Sequence, residues 1–271
     1  MEPLLNGKNV LITGAGRSIG RSIAIEMARA GANVFLTDID ENRCKQVEAE
    51  LREYEGRYKA FVADVSAPQT TDKVLRELSN EAVEVDVLIN NVGVHSSQMR
   101  ANRSLLSKAL GRLDSAKKAQ SELQVLKQVF DTNVFGPVYL TKAVAKRMIR
   151  NEAGGSIIFV TSVHQWVVRG DSAYSSSKAA LGMIINELAL ALWPHRIRVN
   201  GIAPGYVAEK EKPHPWGDKY RRAVKPEHVG RAAVFLASNY FSEYITGSII
   251  KVDAGLSLHN FLIEMCSDED A

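Results

Sequence analysis

Short runs of apolar, mostly β-branched residues alternate with longer amphipathic stretches along this chain. Apolar residues recur at helical spacing from Ile19 to Ala30, and Gly31 ends that pattern. Further helices are expected at about 41–54, 68–82 and 174–192. Runs typical of buried strands occupy 9–13, 34–36, 58–62, 85–89, 157–160, 197–202 and 249–252. This alternation predicts an α/β fold with a mainly parallel seven-stranded sheet, doubly wound, with its ligand crevice at the carboxyl ends of the strands.

Composition and charge narrow the class of protein. The 271 residues suit a single domain, and no linker-like segment interrupts them. Lys and Arg number 34 against 31 Asp and Glu, so a net charge of +3 gives no pull toward nucleic acid. Cys44 and Cys266 fit neither a metal-ligand spacing nor a disulfide framework. We therefore expect no metal site. Without a signal-like N-terminus or a membrane-length apolar run, a cytoplasmic protein with no membrane partner is expected.

A glycine-rich turn at residues 13–20 joins the first strand to the first helix. Such a turn lets the backbone and a helix N-terminus approach a pyrophosphate, which predicts dinucleotide binding and a Rossmann-type sheet. Asp38 ends the second strand, 18 residues after Gly20, near the spacing at which a carboxylate binds the adenosine ribose. Its charge favours NAD, although Arg17 would suit the 2′-phosphate of NADP. The alternative for Asp38 is that it caps the following helix.

Further motifs follow along the chain in one order. They are Asp64–Val65, Asn90–Gly93, Thr132–Val134, Ser162, Tyr174–Lys178, Asn200–Gly205 and Val252–Gly255. Together with residues 13–20, they resemble the motifs of the short-chain dehydrogenase/reductase family, over about Lys8 to Leu256. Two residues depart from the pattern. Ser18 replaces a glycine, where its Cβ would crowd the pyrophosphate or its hydroxyl would donate to it, and Val92 replaces an alanine.

The resemblance implies a catalytic tetrad of Asn133, Ser162, Tyr174 and Lys178. In it Tyr174 transfers the proton, Ser162 orients the substrate oxygen, and Asn133 holds a water that links Lys178 to solvent. To act as a base at neutral pH, a tyrosine with a pKa near 10 needs that pKa lowered by about three units. This takes about 4 kcal/mol of preferential stabilisation of the phenolate. Lys178 lies one helical turn after Tyr174, close enough for its ammonium to favour the phenolate.

The same resemblance, together with the glycine loop and Asp38, gives the expected cofactor site. Its residues are Gly14, Gly16, Arg17, Ser18, Ile19, Gly20, Asp38, Ile39, Asp64, Val65, Asn91, Gly93, Tyr174, Lys178, Pro204, Gly205 and Val207. We expect this dinucleotide-binding and catalytic domain to span residues 1–258, followed by a tail at 259–271.

Two segments vary within this framework. Residues of about 95–128 form an insertion, which we expect to wall the substrate cleft or to pack on a second subunit. Its apolar residues recur at helical spacing and predict one or two amphipathic helices: Leu105, Ala109, Leu113, Ala116, Leu123, Leu126 and Phe130. A short polar lid spans about 206–224. Candidate substrate residues are Ser162, His164, Tyr174, His95 and Trp216. Their polar and aromatic character favours a small sugar or polyol over a large lipid.

Three functions remain open from sequence. The first is an NAD(P)-dependent oxidoreductase of a small secondary alcohol or ketone. The second is a 3-oxoacyl-thioester reductase, for which Arg147, Arg150 and Arg169 would attract an acidic carrier, although Asp38 disfavours the NADP that such reductases tend to use. The third is a non-catalytic dinucleotide sensor or scaffold, which the intact tetrad argues against. The family resemblance further implies a homodimer or homotetramer built on long helices.

Overall fold

The structure, a computed structural model, describes residues 3–99, 116–168, 170–208 and 223–258. Its centre is a seven-stranded sheet, parallel throughout, in the order β3-β2-β1-β4-β5-β6-β7. The strands are β1 Asn9–Thr13, β2 Asn33–Asp38, β3 Tyr58–Val62, β4 Val87–Asn90, β5 Gly155–Val160, β6 Ile197–Pro204 and β7 Ile249–Val252. The order reverses between β1 and β4, which confirms the doubly wound topology and places a crevice beyond the ends of these two strands.

Eight α-helices within the described residues cover the sheet. They are α1 Ser18–Arg29, α2 Glu41–Leu51, α3 Pro68–Asn80, α4 Ala116–Phe130, α5 Gly136–Arg150, α6 Ser172–Leu192, α7 Pro226–Ala237 and α8 Asn239–Ser242. Helices α1, α2 and α7 pack on one face, and α3, α5 and α6 pack on the other. Side chains of β1 alternate between the two faces of the sheet. Val10 and Ile12 pack in the core under α1, α2 and α7, whereas Leu11 packs in the core on the opposite face. Both faces of each central strand are therefore apolar.

Residues 100–115 of the amphipathic insertion lie outside the described residues, and the rest of it is only partly as expected. Helix α4 packs through Val125 and Val129, which are buried, whereas Leu123 is 63% exposed. Leu126, by contrast, lies at the edge of the buried cluster, as expected. The assumed apolar face was therefore wrong at Leu123, because valines that the pattern had not counted form the contact. The lid and tail calls fall largely on 209–222 and 259–271, which lie outside the described residues.

A π-helical turn, Asp131–Phe135, joins α4 to α5 without a break. The sequence carries no signal that separates this turn from ordinary helix. It matters for the site because it contains Asn133, which is fully buried. Within the described residues, no helix is both long and apolar enough to cross a membrane, and no three potential metal ligands cluster.

Candidate active site

Asn91 directly follows β4 and anchors the glycine loop beside the crevice at the ends of β1 and β4. Its side-chain amide donates to the carbonyl oxygens of Thr13 and Gly14, at 3.1 and 2.9 Å. Its backbone N–H donates to the Thr13 hydroxyl at 3.1 Å. These bonds fix the glycine loop to the central strand, so the loop keeps one shape beside the crevice.

The glycine loop is a cradle that side chains would fill. Gly14 has φ +63°, and a Cβ there would lie 2.8 Å from a methyl group of Val92. A Cβ at Gly20 would overlap the carbonyl oxygen of Gly14. Helix α1 starts here without a side-chain cap, and its first turn leaves backbone N–H groups directed out of the helix end. Close approach, free amides and a positive dipole end together fit a pyrophosphate.

Ser18, the departure from the family motif, has φ +47°. This left-handed conformation explains why glycine is usual at the position, since a Cβ is disfavoured there. The serine therefore adopts a backbone conformation that glycine takes more readily. Arg17, immediately before it, is exposed at the start of α1.

Asp38 ends β2 beside this loop and is only 8% exposed. One carboxylate oxygen accepts from the N–H of Gly16 at 2.9 Å, and the other accepts from the N–H of Asp40 at 3.1 Å. The cap of α2 is Asp40 itself, which accepts from the N–H groups of Asn42 and Arg43. The capping alternative for Asp38 is thus wrong.

Arg43 is a further residue at this corner that sequence reasoning missed. It is ion-paired with Asp40 at 3.3 Å. A Cβ on Gly16 would meet both the Arg43 side chain and the Asp38 carboxylate, at 2.8 and 2.6 Å. Its position one turn into α2, just after an Asp-x-Asp sequence, is the signal that would have found it.

The remaining expected cofactor residues are spread along the same edge. Asp64 is exposed and Val65 is buried, directly after β3. Ile39 is 70% exposed. Ile19 lies on the first turn of α1, and the other members lie at strand ends or in the loops that follow them: Gly93, Pro204, Gly205 and Val207. All therefore border the carboxyl edge of the sheet or the first turn of α1.

Tyr174 and Lys178 lie on the first turns of α6, as expected, and both are largely buried. The Lys178 ammonium lies 5.7 Å from the centre of the Tyr174 ring and donates to the carbonyl oxygen of Val160 at 2.9 Å. Burial lowers the pKa of Lys178 from 10.5 to about 8. The cation still predominates at neutral pH, so its field acts on the neighbouring phenol.

Asn133 connects the loop after β4 to α6. Its amide oxygen accepts from the N–H of Val94 at 2.8 Å, and its amide nitrogen donates to the Val94 carbonyl at 3.0 Å and the Ser177 hydroxyl at 2.9 Å. A Cβ on Gly93 would lie 3.0 Å from the Lys178 nitrogen and 3.9 Å from the Asn133 oxygen. The glycine therefore keeps the space between these two side chains open.

Two imidazoles flank the phenol. The His95 ring centre lies 4.0 Å from that of Tyr174, and the His164 ring meets it edge-on at 6.2 Å. Ser162 is buried two residues beyond β5, and its hydroxyl accepts from the N–H of His164 at 3.2 Å. The structure thus brings together four of the five candidate substrate residues, whereas Trp216 lies outside the described residues.

Asp171 was not singled out in the sequence. It caps α6 by accepting from the N–H of Tyr174 at 3.1 Å, and its second oxygen accepts from the N–H of Ser96 at 3.2 Å. An aspartate three residues before a helical tyrosine is a cap signal that sequence inspection can detect. The contact with Ser96, 75 residues away along the chain, has no such signal.

With this geometry in place, the family can be stated. The sequence profile described as short chain dehydrogenase matches residues 8–214. The chain belongs to the short-chain dehydrogenase family. It is an NAD(P)-dependent oxidoreductase that acts on CH–OH groups.

Relatives of this dehydrogenase extend over nearly its full length. L-Rhamnose-1-dehydrogenase of Scheffersomyces stipitis is 30% identical, across 94% of this chain and 98% of that protein. The 7alpha-hydroxysteroid dehydrogenase of Escherichia coli K12 is also 30% identical, across 93% and 94%. A solved structure of 7alpha-hydroxysteroid dehydrogenase in complex with NADH and 7-oxo glycochenodeoxycholic acid superimposes with a TM-score of 0.78, covering 94% of this chain and 96% of that chain at 30% identity.

Proposed function

We propose that this dehydrogenase oxidises a secondary hydroxyl group of a small polyhydroxylated compound, a sugar or polyol, with NAD. The observation that carries the proposal is the polar surround of the Tyr174 phenol, formed by His95, His164 and the Ser162 hydroxyl. Several neighbouring hydroxyl groups on one substrate suit such a set of donors and acceptors. L-Rhamnose-1-dehydrogenases among the relatives support the same substrate class.

In the proposed mechanism, the bound nicotinamide supplies the hydride acceptor. The Tyr174 phenolate takes the proton from the substrate hydroxyl oxygen while the hydride leaves the carbon that bears this hydroxyl. A secondary alcohol thereby becomes a ketone, or a cyclic hemiacetal a lactone, and Tyr174 becomes a neutral phenol. Lys178 stabilises the phenolate beforehand through its buried ammonium. The Ser162 hydroxyl donates to the substrate oxygen and orients it, and Asn133 supports the loop beside the reaction centre.

Asp38 supports the choice of NAD. Its carboxylate lies against the glycine loop, under the N–H of Gly16, on the side where the adenosine ribose is expected. A 2′-phosphate there would meet a buried like charge. We expect Asp38→Asn to lower the ratio of kcat/KM for NAD to that for NADP by about tenfold, or about 1.4 kcal/mol. Asp72→Asn, at a partly exposed position near the start of α3, is the control and should leave the ratio unchanged.

The decisive assay combines NAD and NADP with a panel of sugars, polyols, a bile-acid steroid and a 3-oxoacyl thioester. Appearance of reduced-nicotinamide absorbance with a sugar or polyol supports the proposal. Preferred turnover of the steroid or the thioester would contradict the substrate class. Tyr174→Phe, which keeps the ring but removes the phenol oxygen, should lose turnover at least about a hundredfold.

Helix α4 supports a role of the insertion as a cleft wall. Val125 and Val129 pack against Ala173, which precedes Tyr174. We expect Val129→Ala to raise KM for the substrate while KM for NAD is unchanged. An unchanged substrate KM would assign the helix to another role.

We also propose that the enzyme is a homo-oligomer. Apolar side chains remain exposed on the outer helices, among them Phe135 at 58%, Met183 at 63% and Leu190 at 77%. Met183 and Leu190 are seven residues, about two turns, apart on α6 and so share one helix face, and an exposed apolar face is typical of subunit interfaces. Light scattering should give a mass of two or four chains for the parent protein and a smaller mass for Leu190→Lys. A monomeric parent would refute the proposal.

A further inference from the structure

His95 occupies an unusual position in the described part of the chain, since its imidazole lies closer to the Tyr174 ring than any other aromatic ring does. The two ring centres are 4.0 Å apart and the planes are inclined at 44°. Aromatic contacts at this distance restrict ring rotation and exclude water from the covered face. The precise placement of His95 therefore affects how the phenol is presented to a substrate.

The backbone on both sides of His95 is anchored. Before it, Val94 makes two hydrogen bonds with the Asn133 amide, at 2.8 and 3.0 Å. After it, the N–H of Ser96 donates to Asp171 at 3.2 Å. His95 is the single residue between these two anchors.

Both anchors are themselves attached to α6, the helix that carries Tyr174. Asn133 donates to Ser177 at 2.9 Å, and Asp171 accepts from the N–H of Tyr174 at 3.1 Å. A helix cap needs only one side-chain oxygen. The second oxygen of Asp171 accepts from the N–H of Ser96 in the loop after β4. Asp171 therefore links the loop that carries His95 to Tyr174, whose ring His95 contacts.

We propose that Asp171 is a positioning residue, whose two carboxylate oxygens hold His95 against the Tyr174 phenol. It touches neither substrate nor cofactor and acts through His95. The proposal rests on the proposed function only for its kinetic readout, because the anchoring geometry is independent of the substrate class.

The first variant for the test is Asp171→Asn. Its amide oxygen still caps α6, but its NH₂ group would face the N–H of Ser96, so the tether is lost while the cap is kept. We expect kcat to fall about tenfold and KM for NAD to stay within about twofold. Asp72→Asn, at a partly exposed aspartate hydrogen-bonded to Tyr139, is the matched control and should leave kcat unchanged.

The deciding step is a double-mutant cycle with His95→Ala. If Asp171 acts through His95, Asp171→Asn lowers kcat by less than about twofold once the imidazole is absent. Multiplicative losses in the double variant would overturn the proposal. So would an unchanged kcat in Asp171→Asn, or a loss that follows a lowered unfolding midpoint.

A second measurement needs no substrate. Fluorine NMR of fluorotyrosine-labelled enzyme, with the Tyr174 signal assigned by its loss in Tyr174→Phe, reports the surroundings of the ring. In Asp171→Asn the signal should move to the position that it has in His95→Ala. A signal that stays at the parent position would overturn the proposal. Because this arm is independent of turnover, absence of activity with every sugar and polyol would contradict only the substrate class.

Discussion

Replacing Lys178 with methionine should make the cofactor-free protein more stable at neutral pH while removing its activity. The ammonium is fully buried, and burial lowers its pKa from 10.5 to about 8. That difference corresponds to about 3 kcal/mol of destabilisation whenever the lysine is charged. Methionine of similar length avoids it, but leaves the Val160 carbonyl without the hydrogen bond from Lys178, at a cost of about 1 kcal/mol.

The pH dependence gives this prediction its sign. Because the folded-state pKa is the lower one, the unfolded chain holds the extra proton between about pH 8 and 10.5, and parent stability rises with pH in that window relative to the variant. We therefore expect Lys178→Met to be more stable by about 2 kcal/mol below pH 8. Near pH 10.5 the parent lysine is neutral and keeps its hydrogen bond, so the variant should be less stable by about 1 kcal/mol.

Urea unfolding at a series of pH values measures this difference, and titrations common to both proteins cancel. The control is Lys142→Met, at an exposed position on α5, for which the stability difference should be small and flat with pH. A Lys178→Met difference that does not change between neutral pH and pH 10.5 would refute the assignment of a buried, depressed lysine. Far-UV circular dichroism should show that the variant is still folded.

Three further changes test other parts of the site. Ser18→Gly should raise the free energy of unfolding by about 0.5–1 kcal/mol in urea, because φ +47° disfavours a Cβ; lower stability would show that the hydroxyl makes a compensating contact. Gly20→Ala places a methyl group on the Gly14 carbonyl, so NADH affinity by fluorescence titration should weaken about tenfold or more, and an unchanged Kd would mean that the loop relaxes freely. Burial raises the pKa of Cys44 to about 11, so in a Cys266→Ser background a thiol reagent should react at neutral pH only as the protein unfolds, and rapid native labelling would contradict this.

The fold was largely predictable because its signals are local. Each central strand is a short apolar run, and β1 shows both cores in adjacent residues, with Ile12 facing one and Leu11 the other. The glycine loop and the Tyr174–Lys178 pair are likewise close in sequence. Family resemblance supplied Asn133 and Ser162, which no local pattern distinguishes.

The features that sequence did not give depend on contacts between distant segments. The hydrogen bond from Ser96 to Asp171 forms only where the loops after β4 and β5 meet, and neither residue type predicts this contact from sequence. β2 extends to Asp38 and α2 begins at Glu41, so Asp40 rather than Asp38 occupies the cap position of α2. The exposure of Leu123 reflects which face of α4 meets Ala173, a choice that helical periodicity left open.

The π-helical turn at Asp131–Phe135 has a consequence for sequence length in this region. One extra residue is accommodated in a single turn, and each helical residue corresponds to a rotation of about 100°. Deleting one residue there would restore a regular α-helix. It would also rotate the preceding helix α4 by about 100° around the helix axis relative to α5. A one-residue insertion or deletion in this helical stretch would therefore move the Asn133 amide away from Val94. The length of the stretch is thus constrained as well as the identity of its asparagine.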